Sequence, residues 1–239
     1  MSGGFCVFKK ILFSFAVLAF FAGAAFAGSA EVYRNPDYNM EKITSVLVLP
    51  VDFQVKTPEK EAFFREKVNE RWSKVTPLIS EKFSFVVKKP KEIVEREAFV
   101  KGTDVPELSS RETIERALSV SDQYVKGNLR AKITECEYKK LHHPEKVEWV
   151  DTYDYVEEKR DGKWVQIRLP RRYQKVTPAW DEWYASATVV VELSDPKTDD
   201  LILGATASAD TGRDLFKDVP SLTEQASNVL EKAVKRLVK

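Results

Sequence analysis

Histidine and cysteine, the side chains that exchange protons closest to neutral pH and bind transition metals, are scarce in this sequence. His142 and His143 are its only histidines, and Glu145 and Glu148 follow them closely. Adjacent residues of an extended strand point to opposite faces, so one metal ion would not readily bind both imidazoles. We therefore interpret the histidines as an ordinary loop pair. A metal site that also uses the glutamates and Cys136 is the alternative.

Nucleophilic catalysis has little support in the residue pattern. The sequence contains no Gly-x-Ser-x-Gly elbow, no Gly-x-Gly-x-x-Gly, no phosphate loop and no Cys-x-x-Cys. Cys136 lies between Glu135 and Glu137, and neighbouring carboxylates raise the pKa of a thiol, so we expect Cys136 to be a small core residue. The sequence thus predicts a protein that is not an enzyme, with no catalytic residues, no metal site and no cofactor.

Carboxylates also crowd the segment 195–200 (DPKTDD), at Asp195, Asp199 and Asp200. Their spacing does not match the EF-hand loop, so a calcium site is the less favoured interpretation. Asp and Pro at these positions are typical of a tight turn. We therefore predict a turn between two strands.

The segment 139–184 is the most distinctive part of the chain, because it contains four of the five tryptophans. Asp161-Gly162 within it predicts a two-residue β-hairpin turn, whose geometry requires positive φ at both positions. With this turn, Val156 faces Ile167 and Asp154 faces Leu169. The segment is therefore predicted to be an inserted β-hairpin.

This register would divide the side chains of the hairpin between two faces. The aliphatic face would contain Val150, Val156, Val165, Ile167 and Leu169, and is expected to pack on the domain. The aromatic face would contain Trp149, Tyr153, Tyr155, Trp164 and Arg168. We expect Arg168 to stack over Tyr155 as a cation–π pair. The aromatic face is a hypothetical binding surface, because aromatic residues and Arg dominate binding hot spots. A second small core formed by the same rings is the alternative.

The basic run of Arg171, Arg172 and Lys175 is interpreted as a solvated face rather than an anion site.

The remaining elements that would carry this insert follow from hydrophobic periodicity. Thr44–Pro50 and Phe83–Val87 read as strands, and 123–138 as a long strand. Residues 185–193 and 201–209 form an alternating hairpin. A helix starting at Thr57 and Pro58 would bury Phe64, Val68, Trp72, Val75 and Ile79 and kink or restart at Pro77. Further helices start at Pro90, Ser109 and Ser221. The order predicts an α/β (α+β) fold, with a mixed sheet of about five strands covered by helices.

The N-terminus predicts the compartment. Lys9 and Lys10 precede an unbroken apolar run, 11–27, that ends in Ala25-Phe26-Ala27, so residues 1–27 read as a signal peptide cleaved at about Ala27. An uncleaved anchor is the alternative.

Residues 28–42 are predicted to be a flexible lead, and residues 43–239 are predicted to be a single α/β domain with the insert. No later segment is apolar for long enough to span a membrane, and the near-neutral charge of +1 gives no indication of nucleic-acid binding.

Three segments resemble a known group of envelope proteins. Residues 43–53 (ITSVLVLPVDF), 121–135 (SDQYVKGNLRAKITE) and the hairpin 188–209 are similar to the periplasmic α/β domains of the curli-secretion (CsgG-like) and penicillin-binding-protein-activator (LpoB-like) lipoproteins and to the TolB amino-terminal domain. This chain lacks their lipid-acceptor cysteine and has a longer insert. The resemblance implies an envelope protein that contacts other proteins.

Together these observations predict an exported bacterial envelope protein, periplasmic or associated with the outer envelope and soluble after cleavage. It would be a non-catalytic interaction module that binds another envelope protein, alone or within an oligomeric secretion assembly. A cell-wall or glycan-binding module or hydrolase that uses the aromatic insert is the alternative.

Overall fold

The computed structural model describes residues 30–55, 61–212 and 218–239. The predicted signal peptide and the predicted helix start at Thr57 and Pro58 lie outside these residues. Contacts divide the described chain into two compact units. The first comprises residues 30–138 and 184–239, and the second comprises residues 139–183.

The described residues form nine strands and five α-helices. The strands are β1 (Ala30–Arg34), β2 (Ser45–Val48), β3 (Asp52–Phe53), β4 (Val86–Lys88), β5 (Gly127–His143), β6 (Lys146–Arg160), β7 (Lys163–Thr177), β8 (Trp180–Ser194) and β9 (Leu201–Gly212). The helices are α1 (Glu61–Phe83), α2 (Pro90–Lys101), α3 (Ser110–Ser119), α4 (Ser121–Tyr124) and α5 (Leu222–Leu237), with a short 3-10 helix at Met40–Lys42.

The predicted α/β class is confirmed, with a sheet larger than expected. Seven strands rather than about five form one mixed sheet in the order β1-β9-β8-β5-β2-β4, with β3 beside β5. β2 is parallel to β4 and β5, whereas β9 is antiparallel to β8 and β1. β6 and β7 form a separate two-stranded sheet.

Helices cover the sheet through two apolar clusters. Val46 and Leu47 are neighbours on β2 and therefore point to opposite faces. Val46 belongs to the large cluster with the buried faces of α1 and α5, and Leu47 belongs to a smaller cluster with α2 and α3. The predicted stripe of α1 is buried along its whole length: Phe64, Val68, Trp72, Val75 and Ile79.

Helix α1 runs through Pro77 as one element, so of the two outcomes predicted there, a kink or a restart, the restart is wrong. The Thr76 hydroxyl donates to the Trp72 carbonyl one turn earlier rather than capping a new helix. Trp72 anchors the same turn, because its indole N–H donates to the Leu49 carbonyl at 2.8 Å. Buried packing on both sides of Pro77 therefore outweighs the loss of one backbone hydrogen bond.

The predicted starts of α3 and α5 are confirmed in their hydrogen bonds. Ser109 Oγ accepts from the N–H of Glu112, and the Glu112 carboxylate accepts from the N–H of Ser109. Ser221 Oγ accepts from the N–H of Glu224. These bonds satisfy N–H groups that have no partner within the helix.

Two short elements differ from the prediction. Ala30–Arg34, predicted as part of a flexible lead, is a strand paired with Leu203–Ala207 of β9. Ser121–Tyr124 is a helical turn, so β5 begins at Gly127 rather than near residue 123. Both segments are too short to show a period, and the pairing of β1 also depends on a strand distant in sequence.

Candidate binding surface

The second unit is built around a long β-hairpin. β6 and β7 each have 15 residues and pair antiparallel from Lys146 opposite Thr177 to Arg160 opposite Lys163. Asp161 and Gly162 join them with φ values of 51° and 78°. Both values are positive, as a type I′ turn requires, so the predicted turn is confirmed.

The predicted register is also confirmed. Val156 lies opposite Ile167, and Asp154 lies opposite Leu169. Directly opposed residues share a face, and alternate residues of a strand point the same way. The register therefore places Trp149, Tyr153, Tyr155, Trp164 and Arg168 on one face, which we call the aromatic face.

The rings of the aromatic face are exposed to solvent. Trp164 is 69% exposed and Tyr155 62%, and Trp149 and Tyr153 are also exposed. Exposure of this size does not fit the alternative that these four rings form a small second core. Trp72, the only tryptophan outside the insert, is buried instead.

Arg168 does not stack on the ring that the sequence predicted. Its guanidinium carbon lies 3.5 Å from the ring centroid of Tyr153, rather than over Tyr155, which is directly opposite. Arg172, which the sequence placed in a solvated basic run, lies 5.3 Å from the ring centroid of Trp149. Each Arg thus reaches a diagonal neighbour on the other strand, a contact that long side chains can make across a twisted pair.

The aliphatic face is only partly covered, contrary to the expectation that it is packed: Val150 and Ile167 are half-buried, and the other three side chains are exposed. Val156, Val165 and Leu169 are each 42–46% exposed. The hairpin therefore presents apolar side chains to solvent on both faces, which is uncommon for a surface that has no partner.

Charge is divided between the two strands of the hairpin. β6 has five carboxylates within residues 148–158 and three cations near its ends, Lys146, Lys159 and Arg160, whereas β7 has five cations and no carboxylate. Arg171 pairs with Asp154 at 3.3 Å and Arg172 with Asp151 at 3.5 Å. All four side chains are more than half exposed, so each pair contributes little to stability.

The two histidines lie at the end of β5, so their interpretation as a loop pair is wrong. His142 Nδ1 is 2.8 Å from Asp181, and His143 Nε2 is 3.0 Å from Glu182, both carboxylates belonging to β8. Lys140 and His142 both bind Asp181, and Lys140 makes the larger contribution to lowering the pKa of this carboxyl. No group of three potential ligands is placed to hold one metal ion among the residues described.

The other candidate chemical groups have structural roles in the first unit. Cys136 is buried, and burial first and Glu135 second raise its pKa to about 11, as expected for a core thiol. The carboxylate of Asp195 accepts from the N–H groups of Lys197 and Thr198, which confirms the predicted turn. Asp199 accepts from Arg130 at 2.7 Å.

Comparisons with known proteins provide a weak likeness of fold. No protein-family model matches the chain, and no curated protein matches its sequence. The structure is similar to a PelC dodecamer from Paraburkholderia phytofirmans, with 12% identity, a TM-score of 0.40 and coverage of 88% of this chain and 97% of that chain. It is also similar to the lipoprotein GNA1162 from Neisseria meningitidis, with 13% identity, a TM-score of 0.36 and coverage of 82% and 95%. These values are too low to assign a family or a function.

None of the helices in the described part of the chain is long and apolar enough to cross a membrane.

Proposed function

We propose that this chain is a non-catalytic interaction module of the bacterial cell envelope, and that it binds another envelope protein through the aromatic face. The predicted signal sequence at residues 1–27 supports the location. The observation that carries the binding role is the exposure of Trp149, Tyr153, Tyr155 and Trp164 together on one side of the hairpin.

Such a face favours protein recognition. Tyr, Trp and Arg are the residues most enriched in binding hot spots, where truncation of one side chain to alanine costs about 2 kcal/mol or more of binding free energy. Arg168 and Arg172 lie against two of the rings, so these side chains are held in place before a partner arrives. Less side-chain freedom is then lost on binding.

The same stacking makes a sugar-binding surface the weaker candidate. A sugar stacks on a free ring face, and guanidinium groups lie over Tyr153 and Trp149. Within the described residues, Tyr155 and Trp164 have no such neighbour. Binding of purified peptidoglycan sacculi that is lost in Tyr155→Ala and Trp164→Ala would favour the glycan alternative over our proposal.

Site-specific photocrosslinking in the producing bacterium tests the proposal. A benzophenone amino acid replaces Tyr155, Trp164 or, as control, Phe99, which is 86% exposed on α2 in the first unit. We expect a discrete crosslinked protein from Tyr155 and Trp164 and none from Phe99. Absence of a product at both hairpin positions, or an equal product at Phe99, would contradict the proposed surface.

A further inference from the structure

β7 contains three arginines, and Arg168 differs from the other two in having no carboxylate beside it. Arg171 pairs with Asp154 at 3.3 Å, and Arg172 pairs with Asp151 at 3.5 Å. Among the residues that the structure describes, Arg168 forms no ion pair and donates no hydrogen bond, and its side chain is exposed. Its charge is therefore not matched by any carboxylate of that part of the chain.

The one ring contact of Arg168 leaves its hydrogen-bonding groups available. Its guanidinium carbon is 3.5 Å from the ring centroid of Tyr153, so the group lies over the face of that ring. A cation–π contact of this kind uses none of the five N–H donors of the guanidinium. A stacked guanidinium directs these donors sideways, in the fork that binds a carboxylate through two hydrogen bonds. Tyr153 thus holds Arg168 in an orientation that suits a carboxylate.

Arg168 lies among the rings that the proposed partner would cover. Tyr155 is directly opposite Arg168, and Tyr153 is its diagonal neighbour. A partner that buries these two rings also removes water from the guanidinium between them. Burying a charge without a partner is costly, and a hydrogen-bonded opposite charge offsets that cost. The partner is therefore expected to bring an anionic acceptor to this point.

We propose that the partner protein binds Arg168 through the carboxylate of an aspartate or glutamate that lies within an apolar patch covering the neighbouring tyrosines. The inference rests on the proposed function and deepens it, because it names the chemistry of the partner's surface. Charge on this side of the hairpin agrees, since the register places three cations there, Lys159, Arg168 and Arg172, and two carboxylates, Asp151 and Glu157. An acidic group on the partner complements that excess.

Photocrosslinking from position 164 in the producing bacterium tests the proposal. A benzophenone amino acid replaces Trp164 and is combined with Arg168→Gln or with Arg171→Gln. The second change removes the same charge from the opposite face of the same strand. We expect the yield of the crosslinked partner to fall at least about tenfold with Arg168→Gln and to stay within about twofold of the parent with Arg171→Gln. Equal yields in the two variants would overturn the proposal.

Glu157 is the rival acceptor within the chain. It lies opposite Gln166 and is therefore the other diagonal neighbour of Arg168. If the partner supplies the carboxylate, Glu157→Gln removes a competitor, and the crosslinking yield should be unchanged or higher. Glu158→Gln is the control, because it makes the same charge change on the opposite face. A yield that falls in Glu157→Gln but not in Glu158→Gln would overturn the proposal.

The partner's own sequence provides a measurement on the unmodified arginine, so the test survives if a variant misfolds. Mass spectrometry of the crosslinked product identifies the contacting segment, which should contain Asp or Glu. Arg168→Glu should abolish the product, and arginine in place of that partner carboxylate should restore it. A segment without a carboxylate would overturn the proposal, and so would a product that the exchange does not restore.

Failure of this inference is distinguishable from failure of the proposed function. A product from Trp164 that is indifferent to Arg168→Gln would end the inference and leave the aromatic face as the binding surface. Absence of any product from both Tyr155 and Trp164 in the parent would end both.

Discussion

At the level of single residues, Glu97 is the charged group most strongly constrained by the fold of the first unit. Its side chain is 5% exposed, and its carboxylate accepts from Arg116 Nε at 2.7 Å and from Lys101 Nζ at 2.6 Å. Hydrogen bonding from Arg116, followed by that from Lys101, lowers the pKa of Glu97. The Arg116 bond connects α2 to α3, and therefore holds together the helices over the smaller apolar cluster.

This geometry predicts a pH-dependent stability. A carboxyl with a lowered pKa in the folded protein stabilises it fully above the pKa of the unfolded chain and loses that contribution as the pH falls through the folded pKa. Glu97→Gln should cost about 1–3 kcal/mol at pH 7, and the cost should shrink under acid. Urea unfolding of the parent and of Glu97→Gln at pH 7 and at about pH 3 measures the free-energy cost of the substitution and its change with pH. A cost that is the same at both pH values would contradict this role.

Residue positions on the hairpin were predictable, but partners of long side chains were not. The Asp161-Gly162 turn and the alternation of a strand suffice to assign Tyr155 and Arg168 to one face. They do not decide whether the guanidinium lies over the opposite ring or the diagonal one, because strand twist brings both within reach. Arg172 has Asp151 directly opposite it, so the register alone did not indicate its diagonal contact with Trp149.

At the level of elements, the turn sets the register of the whole hairpin. Gly162 has φ of 78° and Asp161 has φ of 51°. A Cβ at Gly162 would meet no atom within 4 Å, so substitution there strains only the backbone.

Gly162→Ala should therefore destabilise the hairpin by about 1–2 kcal/mol, whereas Asp161→Asn should have little effect because Asn tolerates positive φ. Native-state hydrogen exchange of amides in β6 and β7 measures this difference locally. We expect exchange to be about tenfold faster in Gly162→Ala than in Asp161→Asn. Equal rates in the two variants would show that the turn does not set hairpin stability.

Elements with a long period or a cap were predictable from the sequence, and short ones were not. The stripe of α1 from Phe64 to Ile79 and the caps at Ser109 and Ser221 follow from local rules. β1 and α4 have only five and four residues, and β1 forms because β9 lies beside it in the fold. The seventh strand of the sheet could not be counted without that tertiary information.

At the level of the whole molecule, apolar residues are distributed in two distinct ways. In the first unit they fill two clusters between the sheet and its helices, and Trp72 lies in the larger one. In the second unit, Trp149, Trp164, Trp180 and Trp183 are each at least half exposed. A chain that buries its core efficiently yet exposes four tryptophans in one insert is expected to use that insert for binding.

Quantitative co-purification tests this central claim most directly. A tagged parent protein is recovered from solubilised envelopes of the producing bacterium and compared with the Tyr155→Ala/Trp164→Ala double variant and with Phe99→Ala as the exposed-aromatic control. We expect the double variant to recover at least about tenfold less of the protein identified by crosslinking than the parent does, with unchanged thermal stability, and Phe99→Ala to recover as much as the parent. Undiminished recovery by the double variant would contradict the aromatic face as the binding surface.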